Sequence, residues 1–198
     1  MGLELDYGDG QTPLDEEERE GLLIPTITTR GELNEFEQQG IEKAIEWTLK
    51  RRFNKTQILK ESFVKDLHRR MYAQIWVWAG QFRKTNKNLG VDKLQIGIEL
   101  KKLLDDSVFW IDQNTFEPDE VAIRFKHRIV SIHCFSNGNG RHSRLMADLI
   151  IKQIFTKPVF TWGSTNLTKP GGTRADYLKA MRAADAGDYL PLVIFARS

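Results

Sequence analysis

His133-Cys134-Phe135-Ser136-Asn137-Gly138-Asn139-Gly140-Arg141-His142-Ser143-Arg144 joins two apolar helical stretches, and these twelve residues hold the densest chemistry in the chain. Upstream, Pro118 suits the first turn of a helix that carries Val121, Phe125, Ile129 and Ile132 at helical spacing and delivers His133 at its end. Downstream, Leu145-Met146-Ala147-Asp148-Leu149-Ile150-Ile151 is apolar on more than one face, the pattern of a helix at the centre of a bundle. Helix, glycine-bearing loop and central helix together point to a mainly α fold.

The same periodicity extends outward. Thr29 with Glu32 three residues on forms a capping box, opening a helix expected to turn Leu33, Phe36, Ile41, Ala44, Ile45 and Leu49 to a core. Leu59, Phe63, Leu67, Met71 and Ile75 recur at steps of four, predicting a second helix that ends near Gly80. From Gln81 to Gln95 the pattern breaks, and Asn88 and Gly90 suit the turn of a short β-hairpin flap. Helix resumes through Leu100, Leu103, Leu104, Val108 and Phe109, and again from about Thr173 to Ala186, with Tyr177, Met181 and Ala184 on one side and Gly187 as its stop. Residues 1–25 read as a polar leader, in which Leu14–Glu20 can make two helical turns and Leu22, Leu23 and Ile24 supply an apolar anchor. The expected organisation is this leader followed by one helical bundle over residues 26–198.

Composition narrows the function classes. The 198 residues, 40% of them hydrophobic, suffice for one sizeable core. A net charge of +2 from 29 basic and 27 acidic residues gives no broad positive field, which disfavours nucleic acid as a partner. No apolar run is long enough to span a bilayer, and the acidic N-terminus is unlike a secretory signal, so no membrane partner and a cytoplasmic setting are expected. The lone Cys134 reads as a packed thiol, and the histidine spacing fits no common zinc site. No G-x-x-x-x-G-K-(S/T) occurs. Oligomeric state, a homo-oligomer included, is left open.

A helix that starts just after a glycine-bearing loop points unpaired N–H groups and the positive end of its dipole into that loop, where anions bind. Gly138 and Gly140 let the backbone approach closely, and Asn139 can brace the loop by local hydrogen bonds. Arg141 and Arg144, three positions apart, can converge on a polyphosphate. His133, across this cradle, can accept a proton from an incoming hydroxyl.

This stretch resembles the Fic motif, HPFx(D/E)GNGRxxR. Trp78-Ala79-Gly80-Gln81-Phe82-Arg83 is similar to the segment leading into the family's target-holding flap, and Ala184-Asp185-Ala186-Gly187-Asp188 to its A-N-x-G-D element near adenine. With its leader, the chain looks most like the subgroup called mobile mystery protein B. The resemblance implies a Fic-type helical bundle that transfers AMP from Mg-ATP to a serine, threonine or tyrosine hydroxyl of a target protein. It makes His133 the general base. Gly138, Asn139, Gly140 and Arg141 would hold the donor phosphates, and Arg144 the terminal one.

Three departures matter. Asn137 stands where the family has an acidic magnesium ligand, so a weak Mg2+ site is expected. Cys134 replaces proline. Asp185 replaces the asparagine near adenine and, unlike an amide, cannot donate a hydrogen bond. Many relatives also carry an inhibitory (S/T)xxxE(G/N) helix whose glutamate pairs with the second motif arginine. Glu20-Gly21 fits the end of that pattern, implying that Glu20 restrains Arg144. Asn137 and Asp185 keep open an alternative, a weak or inactive nucleotide-binding regulatory module, as well as a Fic enzyme moving a different phosphate-containing group.

Overall fold

The computed structural model describes residues 13–164 and 171–198; the first part of the leader lies outside them. Among the described residues the chain forms nine α-helices: α1 (Glu16–Glu20), α2 (Arg30–Leu49), α3 (Lys55–Ile58), α4 (Glu61–Tyr72), α5 (Ile96–Asp112), α6 (Pro118–Ile132), α7 (Asn139–Leu149), α8 (Gly172–Asp185) and α9 (Leu190–Arg197). None is long and apolar enough to cross a membrane. Helix α6 packs on α5 and α7, α2 on α4, and α8 on α9.

Local chemistry accounts for these boundaries. Thr29 caps α2 through Glu32 N at 3.3 Å, while the Glu32 carboxylate accepts from Thr29 N at 3.0 Å, completing the capping box. Pro118 sits in the first turn of α6, and His133 ends that helix in the left-handed conformation at φ 58°. Met146, Ala147, Ile150 and Ile151 are fully buried, which places α7 and the π-helical turn Ile150–Ile154 that continues it at the centre of the bundle. Gly40 permits the close crossing of α2 and α4, since a Cβ there would lie 2.2 Å from the Met71 carbonyl oxygen.

Several expectations are corrected. The buried face of α2 is Leu33, Glu37, Gly40, Ile41, Ala44 and Thr48, whereas Phe36, Ile45 and Leu49 are exposed. Helix α4 stops at Tyr72 rather than near Gly80, because residues 75–77 pair with the leader: Leu23 N donates to Ile75 O at 2.8 Å and Val77 N to Gly21 O at 2.9 Å. Phe109 is exposed as well.

The expected β-hairpin flap is absent, and no strand occurs among the described residues beyond an isolated bridge between Leu22 and Trp76. Arg83 explains the difference. Its guanidinium donates to the carbonyl of His133 (2.7 Å) and, within the segment, to those of Thr85 (2.8 Å) and Val91, two oxygens open to a hairpin ladder. Asn86 adds side-chain bonds to Asp92 (2.8 Å) and to Lys93 N (2.7 Å). The segment is therefore an arginine-centred loop laid against the end of α6.

Candidate active site

The loop between α6 and α7 is built by its own side chains. Asn139 Oδ1 accepts from Phe135 N at 3.0 Å and its Nδ2 donates to Phe135 O at 2.7 Å, closing residues 135–139 into a braced turn. Asn139 thus spends its amide on the loop, leaving its backbone at the start of α7 for a ligand. Gly138 adopts φ 77°, and a Cβ there would lie 2.6 Å from the Tyr72 ring. Only glycine fits both demands.

A cleft of about 520 Å3 opens over this loop. It brings together His133, the run from Asn137 to Arg141, Arg144 and Asp185, so every residue expected at the site except Glu20 lines it. Helix α8 supplies the facing wall through Arg174, Tyr177, Leu178, Met181 and Asp185, at steps of three and four.

His133 is buried, and desolvation, helped by the positive charge of Arg83, lowers its pKa to about 4. It is therefore neutral near pH 7. One ring nitrogen is hydrogen-bonded to the Val130 carbonyl, so the other carries the lone pair and can take a proton. The thiol of Cys134 is pushed by burial up to about 12 and has no nucleophilic character.

The two motif arginines have different settings. Arg141 is buried and paired with Glu37 of α2, which holds its pKa above the ordinary arginine value despite desolvation. The other oxygen of Glu37 accepts from Trp76 Nε1 at 2.9 Å. Arg144 shares the Tyr177 hydroxyl with the buried Lys126; burial raises the Tyr177 pKa, but these two cations outweigh it and the net shift is downward. Also on the cleft, Asp185 accepts from His127 Nε2 at 2.7 Å.

Glu20 lies elsewhere. It is exposed on α1, and no ion pair joins it to Arg144 among the described residues. Helix α1 is anchored through other groups: Lys87 pairs with Asp15 (2.8 Å) and Glu18, Thr85 Oγ1 donates to Asp15, and Trp78 Nε1 donates to Glu18 O at 3.0 Å. The leader therefore grips the loop after Arg83 rather than the phosphate cradle.

The residues at the cradle do not fit a protein-held Mg2+. Asn137 Oδ1 accepts from Gly138 N and its carbonyl from His68 Nε2 at 3.0 Å, so both oxygens brace the loop. Asp185 is the one carboxylate among the residues lining the cleft, and one of its oxygens is engaged with His127. No cluster of three or more histidine, cysteine or acidic residues that could hold a metal occurs among the described residues.

Residues 58–151, from α3 through the motif loop and α7, match the sequence model of the Fic/DOC family. The chain carries a Fic/DOC family domain. Among curated relatives, the protein adenylyltransferase fic-1 of Caenorhabditis elegans is 30% identical over 134 residues, 66% of this chain and 25% of that protein. The protein adenylyltransferase Fic of Drosophila grimshawi is 27% identical over 136 residues, 67% and 26% of the two chains. This chain thus spans about a quarter of the length of these relatives. Among solved structures, Fic-1 of C. elegans (residues 134–508) aligns with a TM-score of 0.65 at 25% identity, covering 90% of this chain and 51% of that one. BepC of Bartonella tribocorum, solved with bound AMPPNP, aligns with a TM-score of 0.68 at 16% identity, covering 92% and 97%.

Sequence reading gave no role at this site to four side chains: Glu37, Trp76, Arg83 and Tyr177 as a neighbour of Arg144. Glu37 left one legible signal, a carboxylate four residues after Leu33 and four before Ile41, within an otherwise apolar helix face.

Proposed function

We propose that this Fic domain, acting over residues 26–198, transfers a nucleoside monophosphate, AMP from ATP, to a serine, threonine or tyrosine hydroxyl of a protein target. The observation that carries this reading is the neutral ring nitrogen of His133 on the same cleft as the Gly138–Arg141 cradle. His133 takes the proton of the target hydroxyl as its oxygen attacks the α-phosphorus. The bond from that phosphorus to the oxygen bridging to the β-phosphate breaks, and pyrophosphate leaves. The backbone N–H groups opening α7, together with Arg141 and Arg144, hold the phosphate oxygens and stabilise charge as it moves to the leaving group. Asp185, a cleft residue in the element similar to A-N-x-G-D, is the residue assigned to the base in this reading.

The leader keeps a regulatory part in altered form. Asp15 and Glu18, rather than Glu20, are the carboxylates it applies to the domain, and they act on Lys87. A cytoplasmic setting and the likeness of the leader to the mobile mystery protein B subgroup belong to the same reading. Incubation of the protein with labelled ATP and cell lysate, followed by mass spectrometry, tests it. Peptides carrying one AMP on a hydroxyl side chain are expected; nucleotide binding with no covalent label contradicts it.

A further inference from the structure

A nucleoside triphosphate brings several negative charges into a cleft, and something must offset them. In this cleft the usual means, a cation held by a carboxylate, lacks its ligand: Asn137 is neutral and its oxygens brace the loop, and Asp185 is bonded to His127. What the cleft has instead is arginine. Besides Arg141 and Arg144 it is lined by Arg30, Arg174 and Arg182, none of them part of the motif.

We propose that the donor phosphates are neutralised by arginine side chains rather than by a protein-held divalent cation, with Arg30 and Arg174 supplying the part of the phosphate site that lies outside the motif. The inference rests on the nucleotidyl-transfer reading for its donor, but concerns how that donor is held. Two features support it. First, Arg141 is already balanced by Glu37, so the motif alone brings less net positive charge to the phosphates than its two arginines suggest. Second, Arg30 and Arg174, the two cleft arginines assigned here, each lie in the first turn of a helix, α2 and α8. The N–H groups and the positive dipole end at those places favour the same anion as the arginines do. Guanidinium groups also suit phosphate oxygens, which they can engage through two parallel hydrogen bonds.

Inorganic tripolyphosphate is the direct probe, since it has neither a base nor a group to transfer. Its binding to the whole protein is measured by calorimetry in EDTA and in excess Mg2+, alongside ATP. The expected result is binding in EDTA at least as tight as in Mg2+. Arg30→Gln with Arg174→Gln is expected to weaken it about tenfold or more, and Arg30→Lys with Arg174→Lys to restore part of the loss. A fold check by circular dichroism accompanies each variant. Asn137→Asp is expected to make Mg2+ tighten ATP binding, where it does not in the parent. Tripolyphosphate binding that requires Mg2+, or that is unmoved by the double glutamine variant, overturns the proposal. Metal-free tripolyphosphate binding by a protein that labels no target leaves this inference standing and defeats the transfer reading.

Discussion

Glu37, which is 1% exposed, pairs with Arg141 across 104 residues of sequence, and Trp76 Nε1 donates to its other oxygen at 2.9 Å. One carboxylate thereby ties α2 to the phosphate cradle and to the segment that meets the leader. Breaking a buried pair by removing one partner leaves an uncompensated charge, at a cost of roughly 3–5 kcal/mol. Glu37→Ala is expected to lower the free energy of unfolding by about that amount, and Glu37→Gln by less, because the amide still accepts from Trp76. Urea denaturation of the three proteins checks the order; equal midpoints would mean that the pair contributes nothing.

Gly138 faces two constraints at once, a φ of 77° and the Tyr72 ring 2.6 Å from where a Cβ would sit. Gly138→Ala is expected to cost on the order of 1–3 kcal/mol in backbone strain, before the ring contact is added. Nucleotide affinity should fall with stability, because the same residue leads into α7. Gly140, with no heavy atom near its missing Cβ, should tolerate alanine better. Parallel melting and nucleotide titrations of the two variants separate them.

Acid should destabilise the fold through its buried histidines. His133 and His142 have folded-state pKa values of about 4 against 6.5 in the free side chain, both chiefly by burial. The unfolded chain then binds more protons between these limits. The stabilisation each gives is fully present above about pH 6.5 and is lost as pH falls towards 4, on the order of 3 kcal/mol apiece at most. His68, lowered well below its ordinary value by burial, acts in the same direction. Asp148 opposes them, since burial raises its pKa to about 6 and its contribution grows as pH falls from there towards 3.8. Stability measured from pH 8 to 4 should decline below about 6.5, with His142→Gln flattening the decline. A flat profile would contradict these assignments.

The leader makes a further prediction. Glu20 is exposed and stands apart from Arg144, so Glu20→Gly is expected to leave target labelling within about twofold of the parent. Asp15→Asn with Glu18→Gln, which removes both carboxylates from Lys87, is expected to raise it. A large increase in the first variant alone would reinstate Glu20 as the restraint.

What the sequence revealed, and what it did not, follows the range of the interactions. The stripes Leu59, Phe63, Leu67, Met71 and Val121, Phe125, Ile129, Ile132 were readable because period and capping are local, and all eight residues are buried. Phe36, Ile45 and Leu49 misled because the true inner face of α2 contains Glu37, acceptable there only through Trp76 and Arg141, 39 and 104 residues away. The hairpin expectation failed similarly: Asn88 and Gly90 are good turn residues, but Arg83 draws backbone carbonyls to itself. The motif loop was legible residue by residue because glycines, asparagine and arginines lie within one short stretch. The non-motif arginines Arg30 and Arg174 reach the cleft only by helix packing, which leaves no sequence pattern.

The central claim is that His133, held neutral beside the cradle, takes the proton in nucleotidyl transfer. The most direct measurement compares covalent labelling from radiolabelled ATP by the parent and by His133→Asn, a substitution that tolerates the φ of 58° at this position. Loss of labelling on the order of a hundredfold or more, with ATP affinity nearly unchanged, is the predicted result. Undiminished labelling by His133→Asn would contradict the account.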